Sequence, residues 1–323
     1  MKYLKNSFSL PAVASVVIVI FVAITFMITG RTTEEDHRHV SLIVYGEDSE
    51  RWENLRQGAE LVCEEKEADL SLLTMMTEND FNEQEEIIDR EIADGTDALI
   101  IAACNSSEIV SYIRDKKIKV PVVFVETTGS KEDDVKYFSP DDYEMGRQLG
   151  EEIVANESSI VTVSVISENT ERDSVALRMQ GLMDAMDGQV GKIIIWEKNE
   201  NEKKANTRTF IQKELVSQAT DVIITFDNST TDALMDALEN LNKSSKVYSI
   251  ATSDQAVYNL YNKKINALQY TNEFSMGYLA AMYVLDRSDS EKRYPDEVID
   301  HRIVRKENMY DKDNQTLLFP FVD

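Results

Sequence analysis

Histidine and cysteine are scarce in this chain, whose 323 residues include three histidines and two cysteines. His37 and His39 stand in a short polar stretch read as a tether, so a zinc site or a histidine-based triad has almost no material. Cys63 and Cys104 show no CxxC partner and no metal-type spacing, so no metal is expected. Cys63 reads as a small buried hydrophobe; Cys104, at a strand end, reads the same way, with the lining of a pocket as the alternative. Positive charge is the next shortage. Thirty-four Lys and Arg face 59 Asp and Glu, a net charge of −25 with no local basic stripe, so the chain would repel phosphate backbones and nucleic acid is excluded as a partner. Catalytic motifs are missing too: there is no GxSxG, no Walker loop, no HExxH and no GxGxxG after a strand. Glu151 with Glu152, and Asp133 with Asp134, read as solvated surface charge. No catalytic residue and no cofactor are therefore assigned, and an enzyme is not expected.

What is present begins with LPAVASVVIVIFVAITFMITG, an uncharged apolar run from Leu10 to Gly30 preceded by Lys2 and Lys5. As a helix it would span about 30 Å, the thickness of a bilayer core. Cleavable signal peptides carry a shorter apolar region of about 7 to 15 residues and small residues before the cut; here no such site follows, and no cysteine offers a lipid attachment point. Residues 1–31 are read as a cytoplasmic N-terminus with a single transmembrane signal anchor, a long signal peptide being the alternative. Basic residues before the run and TTEED after it put the rest of the chain on the extracytoplasmic side of the cell membrane. Residues 32–38 form the tether.

From Val40 onward, strands alternate with helices. The stretch GTDALIIAACNSSEIVSYIRDKKIKVPVVFVE, from Gly95 to Glu126, holds two apolar runs rich in β-branched residues around a polar helical segment. Neither run alternates, as expected of parallel strands covered on both faces. Ligands in such sheets sit beyond the carboxyl ends of the strands, which here carry Cys104, Asn105 and Ser106, then Glu126 and Thr127. Gly95 is expected to close the helix before this unit, and Asp141 and Asp142 suit the positive end of the helix that follows Pro140. After Pro140 the alternation starts again, and single cores stop growing near about 250 to 300 residues. Two α/β domains are the simplest account.

Seven local signatures stand in one order: RQGAE from Arg56, IADGTDALIIAACNSS from Ile92, KVPVVFVE from Lys119, SPDDYEMGRQLGEEI from Ser139, RMQGL from Arg178, DVIITFDNSTTDALMDAL from Asp221, and NKKINALQYTNEFSMGY from Asn262. Together they resemble the type I periplasmic-binding-protein family of ribose-binding-like receptors and repressor ligand-binding cores. The helix-turn-helix of the repressors is absent. The resemblance implies an α/β fold of two Rossmann-like lobes with parallel sheets, joined by a three-strand hinge. It implies an N-terminal lobe of 39–139 plus 272–294 and a C-terminal lobe of 140–271 plus 295–323. The crossings are expected near 138–141, 251–254 and 271–273.

The resemblance further implies a ligand cleft between the lobes, with a sugar as the expected ligand. The matching positions are Ser49 as a polar contact, Trp52 as a stacking aromatic or an inward-packed helix start, Glu126 as a hydroxyl acceptor and Arg178 as a bidentate donor. Four residues depart from the family pattern: Thr127 stands where an arginine is frequent, Asp227 and Asn228 appear in inverted order, and Thr271 replaces a glutamine. Asp254 or Ser253 is left for a further polar contact. Trp196 is either a second stacking platform or core. The implied function is that of a solute-binding protein of a sugar ABC transporter, with the closed form read by a permease. The alternatives are a co-receptor for a membrane histidine kinase or chemoreceptor, and an interaction module that has lost ligand binding.

Overall fold

Two runs with no polar residue, ALII in strand β3 (Ala98–Ile101) and VVFV in β4 (Val122–Val125), lie at the heart of the first sheet. The computed structural model describes residues 37–46, 52–127, 135–198, 206–286 and 299–318. The apolar run at 10–30, most of the tether, Ser49 and the Asp133–Asp134 pair lie outside them. Among the described residues no helix is long and apolar enough to cross a membrane, and no group of side chains could hold a metal ion.

Strand β1 (Arg38–Ile43) pairs in parallel with β3, β3 with β4, and β4 with the short β5 (Lys136–Phe138); β2 (Ala68–Leu73) lies on the other side of β1. The helices that cover this sheet are α1 (Glu53–Glu65), α2 (Phe81–Ala93) and α3 (Ser106–Lys116), joined by α9 (Glu273–Leu285) from late in the chain. Gly95 does close α2, at φ +91°, a left-handed conformation that costs glycine least.

The second sheet has the order β11-β10-β9-β8-β6-β7. Strands β6 (Thr162–Ile166), β7 (Lys192–Trp196), β8 (Val222–Thr225), β9 (Lys246–Ile250) and β10 (Ala267–Thr271) run parallel, whereas β11 (His301–Val304) is antiparallel to β10. This edge strand departs from the all-parallel expectation. Helices α4 (Asp142–Asn156), α5 (Asp173–Met186), α6 (Thr207–Ser217), α7 (Asn228–Asn240) and α8 (Asp254–Tyr261) flank the sheet. The terminal α10 (Lys312–Leu318) docks Leu317 and Leu318 into one of its two apolar clusters.

Cys63 and Cys104 are thiols outside any disulfide, buried in the cluster of the first sheet. Burial pushes the Cys104 thiol up to about 12, so it stays protonated and unreactive at neutral pH.

Glycines in four of the seven signatures make two close helix crossings. A Cβ built on Gly58 of α1 would run into the Phe274 carbonyl of α9, and one on Gly277 of α9 into the Leu55 carbonyl of α1. In the second lobe the same relation joins Gly146 of α4 to the Arg178 carbonyl of α5, and Gly181 of α5 to the Tyr143 carbonyl of α4.

The chain passes from the first sheet to the second after Phe138 and returns after Thr271. The expected crossing at 251–254 is not one. β9 and β10 are adjacent parallel strands, so the chain between them must make a crossover on the same sheet, and α8 supplies it. The third passage lies instead at Ile299–Asp300. The amide of Ile299 donates to the Ser139 carbonyl at 3.3 Å, and the amide of Asn272 to the Asp300 carbonyl at 3.0 Å. The three passages thus lie side by side.

Candidate functional site

Each sheet has one point where the strand order reverses, between β1 and β3 in the first and between β6 and β8 in the second. Such points open a crevice at the carboxyl ends of the strands. Tyr45 follows β1, Arg172 follows β6 and Asp227 follows β8, so two of these crevices face each other.

On the first lobe, Glu126 ends β4 at φ +64°, a left-handed conformation that side chains other than glycine rarely adopt. The first passage holds it there: its amide donates to the Phe138 carbonyl at 3.2 Å, and its carbonyl accepts from the Ser139 hydroxyl at 3.0 Å. Its carboxylate accepts from the Tyr45 hydroxyl. Trp52 supports Tyr45 from behind, donating from Nε1 to the Tyr45 carbonyl at 3.1 Å and meeting its ring edge-on at 4.9 Å. Thr127 is buried next to Glu126, and its hydroxyl meets no hydrogen-bond partner among the described residues.

From the second lobe Arg178, on α5, donates from Nε to Asp142 Oδ1 at 2.8 Å and from Nη1 to the Phe226 carbonyl at 2.8 Å. The same Nη1 lies 3.8 Å from Glu126. The two acidic residues at the start of α4 divide their work. Asp141 caps the helix by accepting from the Glu144 amide at 2.9 Å. Asp142 is fully buried, and burial pushes its carboxyl up to about 6 against the opposing pull of Arg178 and the Ser139 hydroxyl.

The inverted pair at the end of β8 has a local explanation. Asp227 is the N-cap of α7, its Oδ1 accepting from the Thr230 amide at 2.8 Å. Asn228 ties β8 to β9, its Oδ1 accepting from the amides of Thr252 at 2.6 Å and Ser253 at 3.1 Å. Burial works to raise the Asp227 carboxyl, yet Arg172, Asn169 and Thr230 together hold it below the usual carboxylate range. Arg172 Nη2 donates to Asp227 Oδ2 at 2.7 Å, and the Asn169 amide donates to the same oxygen at 2.8 Å.

Glu126, Arg178, Asp227, Asn228 and Thr271 converge on one cavity beside the passages, together with Glu273. Glu273 is buried and accepts from the Thr252 hydroxyl at 2.6 Å; the Thr271 hydroxyl donates to the Asp300 carbonyl at 3.3 Å. The free volume is about 10 Å3, room for about one water molecule. The other expected residues sit elsewhere. Trp52 stands one layer behind Tyr45, Trp196 is packed in an apolar cluster with Phe210, and Asp254 is exposed at the start of α8. Tyr45, Arg172 and Glu273 were not singled out from the sequence, and Asp142 only as the acidic start of a helix. The only signal for them was position, at strand ends or in the first turn of the following helix.

Chemically the site is a buried set of charge-assisted donors and acceptors suited to a small polar molecule. A family model described as the periplasmic binding protein domain matches residues 40–292. Among curated proteins no sequence matches the chain. Solved structures do. The glucose-galactose binding protein GanP from Geobacillus stearothermophilus is 19% identical with a TM-score of 0.72, covering 85% of this chain and 99% of its own. A carbohydrate transporter solute-binding protein from Agrobacterium radiobacter, in complex with D-arabinose, is 17% identical with a TM-score of 0.77, covering 88% and 99%. The XylFII-LytSN complex matches at 16% identity and a TM-score of 0.71, covering 84% and 98%.

Proposed function

Because the chain belongs to the family of periplasmic binding protein domains, we propose that it is a receptor for a sugar or sugar-like polyol held between its two lobes. The observation that carries this reading is the convergence of Glu126, Arg178, Asp227 and Asn228, from the strand ends and first helical turns of both lobes, on one cavity. A sugar presents a rim of hydroxyls that can donate to the carboxylates and accept from the arginine. The sugars named for GanP and for the Agrobacterium radiobacter protein give the first compounds to try.

In this reading the lobe built on the first sheet and the lobe built on the second move as two bodies about the passages at 139–141, 272 and 299–300. Ligand favours the closed form because it touches both bodies. The N-terminal apolar run anchors the receptor on the outer face of the membrane, where an ABC permease recognises the sugar-filled closed form. A sensor protein in the permease's place is the second reading, favoured by the likeness to the XylFII-LytSN complex.

The test is titration calorimetry and thermal shift of the full chain with D-arabinose, D-glucose and D-galactose. Saturable binding to the wild type, lost in Arg178→Ala and Glu126→Ala chains that still fold, supports the proposal. Absence of binding by any sugar or polyol overturns it. Membrane fractionation tests the anchor separately, since release of the intact chain into the medium contradicts it.

A further inference from the structure

Arg172 is fully buried and belongs to the second lobe, where it precedes α5. Its guanidinium nevertheless lies 4.0 Å above the ring of Tyr45 on the first lobe. Its Nη2 donates to Asp227 of its own lobe at 2.7 Å and to Glu78 of the first lobe at 3.3 Å. A flat group laid on an aromatic face, with polar bonds to both lobes, is what a bridging ligand would provide. Shorter ties surround it. The Ser106 amide donates to the Glu171 carbonyl at 3.2 Å, the Asp173 amide to the Ser106 hydroxyl at 3.0 Å, and the Ser229 hydroxyl to Glu78 at 2.9 Å.

The neighbouring cavity, which Arg172 does not itself line, has about 10 Å3, against the roughly 300 to 1,000 Å3 of ordinary ligand pockets. Asp227, which lines it, is already bonded to Arg172, and a sugar does not fit between the lobes as they stand. The arginine also carries a cost, since its buried Nε and Nη1 meet no acceptor among the described residues, and buried donors without acceptors are unfavourable. It is therefore held from both lobes and yet poised to be displaced.

We propose that Arg172 is an internal latch that occupies the cleft and holds the lobes closed in the resting state, and that a ligand enters by taking over the Tyr45 face and the Asp227 carboxylate from it. The sugar-receptor reading above supplies the ligand, so the latch rests on it in that step; closure by Arg172 stands independently. Two consequences distinguish this receptor from one whose lobes close only around ligand. The resting form is closed, and removing the arginine opens it.

Electron–electron distance measurement on the full chain reads this directly. Cysteines introduced at the exposed Glu86 of α2 and Asn240 of α7 take spin labels, while native Cys63 and Cys104 are buried and stay unlabelled. The expected result without sugar is a single short distance in the wild type and a shift of most molecules to a longer, broader distribution in Arg172→Gln. Glu78→Gln, which leaves the Asp227 pair intact, shifts a smaller share and serves if Arg172→Gln does not fold. A long distance in the sugar-free wild type overturns the latch, as does an unchanged short distance in a folded Arg172→Gln chain. Titration of the same samples with D-arabinose, D-glucose and D-galactose judges the receptor reading by itself, because loss of sugar binding leaves the distances free to decide on the latch.

Discussion

Asp142 and Arg178 show how one buried pair links the site to stability. Asp142 begins α4 with no exposed surface, hydrogen-bonded to Arg178 at 2.8 Å and to the Ser139 hydroxyl at 3.0 Å. Its carboxyl is raised from an ordinary 3.8 to about 6, so the folded state holds this proton more tightly than the unfolded chain. Between about pH 4 and pH 6 the folded state binds more protons at this group, and its contribution to stability falls as pH rises. The difference in unfolding free energy between wild type and Asp142→Asn should therefore drift against the wild type across that window and level off above it; urea melts at several pH values measure it. Arg178→Ala removes the cation that meets Asp142 at 2.8 Å and Glu126 at 3.8 Å. Breaking a buried pair typically costs about 3 to 5 kcal/mol, and the same melts at pH 7 should show a loss of that order.

The helix crossings carry a prediction of their own. Gly146 and Gly277 have ordinary helical backbones, yet a methyl group on either would enter a carbonyl of the partner helix. The helices must separate to admit it, and overpacking of this kind costs about 1 to 3 kcal/mol. Gly146→Ala and Gly277→Ala should each lower the urea midpoint by an amount of that size. Gly95 is the contrasting case, with nothing near a built Cβ but φ at +91°. Gly95→Ala should cost about 1 kcal/mol through backbone strain alone. That Gly58 meets α9, more than two hundred residues later, is not legible in the sequence, because spacing does not say which distant helix arrives.

For the whole molecule, charge and closure act on different scales. A net charge of −25 loads the folded state with self-repulsion that salt screens over about 10 Å at 0.1 M. The thermal midpoint should rise between 0.02 and 0.2 M sodium chloride, values chosen as roughly a decade about that screening length. The ion pairs of Arg172 and Arg178 are buried and should respond little, so Arg178→Ala should keep the same salt slope as the wild type; differential scanning calorimetry compares them.

Local sequence by itself determined the two α/β lobes, since unbroken β-branched runs need cover on both faces and the polar helical segments between them have the length of parallel crossovers. Glu126, Arg178, Asp227, Asn228 and Thr271 were marked through the resemblance of the motifs in which they sit to those of a known family. Tertiary structure decided the rest. Trp196 has the composition of a stacking platform but lies in the core, and residues 251–254 lead into a crossover rather than between lobes, because β9 and β10 are neighbours. Arg172 reads in sequence as an ordinary residue at the start of a helix. Only the approach of Tyr45 and Glu78, both far away in the chain, takes its guanidinium out of water and sets it across the cleft, and no periodicity or spacing encodes a meeting between residues that distant.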